Sequence, residues 1–105
     1  MIRLTQESGI YLAIQPVDFR RQLDGLIAVC ENQFKQPTRT GNWFVFINRG
    51  RTMIRALVYD HNGYWLATKR LSRGRYRSWP KSAEPLTPCA AAELMRLLKN
   101  EGEFE

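Results

Sequence analysis

The chain has 105 residues, 44% hydrophobic and 25% charged, with a formal net charge of +6. That is enough for one domain with a modest core, and no run of eighteen apolar residues is present to cross a membrane. The positive charge is not spread evenly. Residues 49–81 hold nine Lys and Arg against one acid, Asp60, while the rest of the chain holds seven against nine. Such an asymmetry is the electrostatic pattern of a nucleic-acid binder, although an acidic protein or membrane surface would also answer to it.

In chain order, "GIYLAI" (9–14) predicts a short strand ended by Pro16. Asp18 is the expected N-cap of a helix over about 18–34. Its apolar residues Phe19, Leu23, Leu26, Ile27, Cys30 and Phe34 fall on one helical face. Gly25 inside that helix marks either close packing against a strand or a tolerated weakness. "KQPTRTGN" (35–42) reads as a loop. Three strands follow at about 43–48, 53–60 and 64–71, joined by "RGRT" and "HNG". Asn62-Gly63 supplies the pair expected to take positive φ in a tight hairpin, and short joints make this an antiparallel meander. Trp43, Val45 and Ile47 share one face and Phe44 and Phe46 the other; in the second strand Ile54, Ala56 and Val58 oppose Arg55, Leu57 and Tyr59. Both sheet faces are therefore apolar; one can pack on the helices, and the other must be covered too or serve as an interface. "LTPCAAAELMRLL" (86–98) predicts a second helix near 88–98, with Thr87 as N-cap, Pro88 at the first helical position and Leu94, Leu97 and Leu98 on the buried stripe. The tail from 99 to 105 is polar. The expected architecture is one α+β domain over 1–105: a small, mostly antiparallel sheet, made of a three-strand meander plus an N-terminal strand, with two flanking helices.

Between the meander and the second helix lies "KRLSRGRYRSWP" (69–80), with five basic side chains, two aromatics and no acid. Arg49, Arg51, Lys69, Arg70, Arg73, Arg75 and Arg77 are the candidate phosphate contacts, since a guanidinium fork matches phosphate geometry. In an up-and-down meander the two Arg-Gly-Arg turns, centred on Gly50 and Gly74, fall at the same end of the sheet. Tyr76 and Trp79 sit among these arginines, where they either stack on bases or pin the loop to the core.

Nothing in the sequence assembles a catalytic set. Asp18, Asp24, Asp60, Glu84 and Glu93 are the acids that would have to converge on metals. Each has a simpler role: Asp18 as a cap, Asp24 in a helix-surface pair with Arg20 or Arg21, Asp60 at a hairpin. His61 is the lone histidine, and Cys30 and Cys89 lie outside any CxxC pair, so no zinc site is expected. Cys30 reads as a core residue and Cys89 as part of the second helix's first turn. No cofactor is expected. "MIRLTQESG" lacks a signal-peptide core, which points to the cytoplasm.

Several blocks together resemble one family. "VDFRRQLDGL" (17–26) is similar to its N-terminal signature, and "FVFINRGRTMIRALVYDHNGYWLATKRLSRGRY" (44–76) to its central block, followed by "WP" (79–80) and "LT" (86–87). The family is that of the TnpB accessory proteins of insertion sequence 66, also described as Orf2-like. Gln22 stands where the family has Gly, and Arg77-Ser78 adds one residue before "WP". The resemblance implies a protein encoded in a bacterial mobile element beside a separate transposase, assisting transposition, with no catalytic residues to carry over; in that setting the charge asymmetry makes DNA the expected partner, with the transposase as a further one. An adaptor that docks the transposase through an apolar sheet face, without touching DNA, is the alternative.

Overall fold

The structure is a computed structural model and describes residues 9–100. Five strands form one sheet in the order β4-β3-β2-β1-β5. They are β1 (Ile10–Ala13), β2 (Trp43–Ile47), β3 (Met53–Asp60), β4 (Gly63–Arg70) and β5 (Leu86–Pro88). β2, β3 and β4 are the predicted meander, and their ends fall within a residue of the predicted ones. β1 runs parallel to β2, and the other neighbours are antiparallel. The parallel pair is possible because the chain between β1 and β2 is long enough to cross over, and its helical part lies on one face.

That crossover carries α1 (Leu23–Ala28), which continues into a π-helical turn, Val29–Gln33. The helix begins later than the Asp18 cap predicts. Asp18 instead closes a tight turn, accepting the Arg20 amide on Oδ1 at 2.9 Å and the Arg20 guanidinium at 2.6–3.1 Å. Gln22 then occupies the cap position without a side-chain bond. The local side-chain-to-backbone bond competes with the helix and wins the first turn. Phe19 still joins the apolar layer of α1, with Leu23, Leu26, Ile27, Cys30 and Phe34. A methyl placed on Gly25 would meet Arg21 Cβ at 3.1 Å and no strand, so the close neighbour of the glycine is the turn before α1 and not the sheet.

α2 (Ala91–Leu98) also starts later than predicted. Residues 86–88 are taken by β5, where Thr87 pairs with Leu12 and Pro88 with Tyr11. Thr87 Oγ1 donates to Glu84 O at 2.9 Å and caps no helix. Cys89 precedes α2 and donates its amide to Ile10 O. Ala90 has no side-chain group to cap the helix, so its start is served by the Glu93 carboxylate, which accepts the Ala90 amide at 3.4 Å.

The two sheet faces build two cores. Ala13, Phe44, Phe46 and Leu57 pack under α1. Ile10, Leu12, Val45, Ile47, Ile54 and Ala56 pack under Leu94 and Leu97 of α2, together with Tyr76 and Trp79. Both apolar faces that the alternation predicts are therefore covered within the chain, so the second face is not the open docking surface of the adaptor alternative. In the β3–β4 hairpin Asp60 pairs with Gly63, leaving His61 and Asn62 as the turn, and His61 rather than Gly63 takes positive φ, at 52°. The polar tail beyond residue 100 lies outside the described residues.

Candidate nucleic-acid interface

The first Arg-Gly-Arg turn joins β2 to β3 and is organised by Asn48. Its Oδ1 accepts the amides of Thr52 at 2.8 Å and Met53 at 3.0 Å, and its Nδ2 donates to Thr52 Oγ1 at 3.0 Å. The Arg51 amide donates to Asn48 O, and Arg51 takes a φ of 59°. Arg49 and Gly50 are left exposed, while Arg51 is half-buried.

The second turn lies directly against the first. As the chain leaves β4, the Leu71 amide donates to Thr52 O at 2.9 Å and the Tyr76 amide to Arg51 O at 2.7 Å. Gly74, with a φ of 75°, makes the reversal between them. The far side is held by Asn100, just past α2: its Nδ2 donates to Arg75 O at 2.9 Å and its Oδ1 accepts the Arg77 amide at 3.1 Å. Tyr76 and Trp79 point inward and are 3% and 6% exposed. Trp79 Nε1 donates to Ala13 O at 3.2 Å. Neither ring offers a face to a base, which corrects the stacking role considered for them; these rings belong to the core, and burying them fixes the backbone that carries the arginines. Arg73, Arg75 and Arg77 are exposed around them.

Lys69 and Arg70, at the end of β4, are exposed. Lys69 Nζ donates to Leu98 O at 2.8 Å, a favourable place for a cation at a helix C-terminus. Arg55 is structural. Its guanidinium covers the Phe19 ring at 4.5 Å and donates to the carbonyls of Phe19 and Arg21, and its Nε donates to Thr68.

The same sheet end gathers residues that the charge count of 49–81 leaves out. Val17 donates to Ile47 O and forms a parallel bridge with Asn48, so the segment 17–21 runs beside the first turn. Asp18, Arg21 and Arg49 line one crevice there. Arg20 pairs with Asp18 at 2.6 Å rather than with Asp24. The Arg20 hydrogen bonds, with Arg49 adding to them, hold the Asp18 carboxyl well below the usual carboxylate range. The sequence signal was the Arg20-Arg21 pair itself, but a helix beginning at Asp18 assigned it to that helix's surface.

Among the described residues, no three His, Cys, Asp or Glu side chains gather where they could hold a metal ion. Asp60 Oδ1 accepts Trp65 Nε1 at 3.1 Å at the opposite end of the sheet from Asp18. No helix among the described residues is long and apolar enough to cross a membrane.

A family model described as IS66 Orf2 like protein (TnpB_IS66) matches residues 8–101. Two proteins of Sinorhizobium fredii (strain NBRC 101917 / NGR234) are similar. Protein y4jC is 36% identical over 76 residues, covering 72% of this chain and 65% of that protein. Protein y4hO is 30% identical over 98 residues, covering 93% of this chain and 84% of that protein. No solved structure matches significantly.

Proposed function

The chain belongs to the IS66 Orf2-like family, and from that premise we propose that it is a non-catalytic accessory protein of an insertion sequence that grips the DNA backbone with the basic end of its sheet. The observation that carries this reading is the joining of the two Arg-Gly-Arg turns by the bond from the Tyr76 amide to Arg51 O. Five arginines, 49, 51, 73, 75 and 77, are thereby displayed from adjacent, fixed backbone in a segment that contains a single acid. Arginines carried on held backbone lose less freedom on meeting phosphates than arginines on a loose loop would, and each phosphate neutralised releases counterions. In this reading the protein positions element DNA, or the transposase upon it.

The test is binding to DNA at several salt concentrations. Arg73→Ala with Arg75→Ala should weaken binding similarly across DNA sequences and flatten the log–log salt dependence by about two units. Because both side chains are exposed, the fold should change in stability by no more than about 0.5 kcal/mol each. Unchanged DNA affinity together with lost binding to the transposase would favour the adaptor instead. The groove between β4 and α2, lined by Trp43, Ala67, Leu94 and Leu98, is an apolar surface among the described residues for such docking.

A further inference from the structure

We propose that the ligand of this basic end is duplex DNA, contacted on both of its backbones, rather than a single strand, and that Arg21 is one of the contacts; the proposal rests on the nucleic-acid reading above. Sites for single strands combine positive charge with exposed rings on which successive bases stack. The rings beside these arginines are withdrawn. Tyr76 and Trp79 are buried, and Phe19 is covered by the Arg55 guanidinium at 4.5 Å. Among the described residues the large exposed apolar side chains are Trp65 and Met95, 42% and 45% exposed. Trp65 lies five residues back along β4 from Arg70, roughly 17 Å toward the hairpin at strand rise. Phe34, in the crevice with Arg21 and Arg49, is half-buried and packs on the α1-side core, so among the described residues the basic end has phosphate ligands without a fully exposed ring to stack on.

The placement of the arginines adds an independent argument. Arg21 follows Phe19, which packs in the α1-side core. Arg49 and Arg51 stand at the end of the sheet itself. Arg73, Arg75 and Arg77 flank Tyr76, which packs in the α2-side core. The cations thus run across the edge of all three layers. Packed layers are about 10 Å apart, so the row is on the order of 20 Å long. A duplex groove about 12 Å across has a phosphate backbone on either side, and a row of this length can meet both. A single strand can also follow such a row lengthwise, so what disfavours it is the lack of exposed rings for its bases to stack on. The backbone at each station is held: Arg21 O accepts Arg55 Nη1 at 3.1 Å, and Arg75 O accepts Asn100 Nδ2 at 2.9 Å. A stiff duplex suits such a fixed pattern better than a flexible strand does.

The experiment compares a short labelled duplex with one of its own strands by fluorescence anisotropy across a salt series. The proteins are the full chain, an Arg21→Ala/Arg49→Ala variant and the Arg73→Ala/Arg75→Ala variant. The expected result is duplex binding about tenfold or more tighter at equal salt, with each pair of substitutions flattening the duplex salt slope by about two units. Arg21→Gln with Arg49→Gln, which keeps the alkyl stems, repeats the measurement if the alanine pair lowers the unfolding midpoint. Equal or tighter binding of the single strand would overturn this inference while leaving the nucleic-acid reading in place. A slope changed at 73 and 75 but not at 21 and 49 would overturn the two-backbone placement. No binding of either form would remove the reading on which it rests.

Discussion

Tyr76 links the core and the basic surface. Its ring is buried and its amide ties the two turns together, yet its hydroxyl is buried with no hydrogen-bond partner among the described residues. Burial also pushes its phenol pKa up. A buried hydroxyl left unpaired costs about 1–3 kcal/mol, so Tyr76→Phe should leave stability unchanged or raise it, whereas most core substitutions lower it. A clear fall in the urea midpoint would show that the hydroxyl has a stabilising partner. Cys30 gives a pH dependence. Burial, with Glu31 beside it, pushes its thiol from 9.0 up to about 12. The folded chain therefore keeps the proton where an unfolded one loses it. Its contribution is complete below about pH 9 and is lost as pH rises toward 12. Urea unfolding over that range should show a steeper alkaline loss for the natural protein than for Cys30→Ala, which is less stable throughout because it opens a cavity. Parallel pH profiles would refute the assignment.

At the scale of elements, α1 is short and weakly started. It has no side-chain cap and carries Gly25 in its interior. What holds it is its apolar face, including Leu26 and Cys30, both fully buried. Gly25→Ala should therefore gain about 0.5–1 kcal/mol of helix propensity only if Arg21, whose Cβ would stand 3.1 Å from the new methyl, shifts by a few tenths of an ångström. Thermal denaturation measures it, and a drop would mean that Arg21 cannot move aside. α2 is held differently. Lys69 and Asn100 attach its C-terminal end to β4 and to the Arg75–Arg77 backbone. The helix that completes one core thereby also fixes the second arginine turn.

For the whole molecule, charge and covering layers are separate designs that meet at one end. Each sheet face is closed by its own helix and neighbouring chain, which leaves the end of the sheet for the arginines. The acids weighed as metal ligands are dispersed over this framework: Asp18 is engaged by Arg20, Asp60 by Trp65, and Glu93 by the start of α2. The purified protein should therefore bind DNA without cutting it in magnesium or manganese. Cleavage that Asp60→Ala abolishes would refute this.

The meander, its facing and the position of its arginine turns were legible in the sequence, because strand alternation and short joints act between neighbours in the chain. The apolar stripes of both helices were legible for the same reason. The helix starts were not. Asp18 and Thr87 have the chemistry of caps, but Asp18 is drawn into a turn with Arg20 and Thr87 into pairing with Leu12. β5 was missed because three residues bounded by prolines carry almost no local signal, and only the presence of β1 as a partner makes them a strand. Charge counting found the arginines of 49–77, while Arg21 joins them only through the bridge between Val17 and Asn48. The direction of Tyr76 and Trp79 was likewise undecided by sequence. A ring among arginines can face a base or a core, and the space left beside α2 on the second sheet face determined that both turn inward.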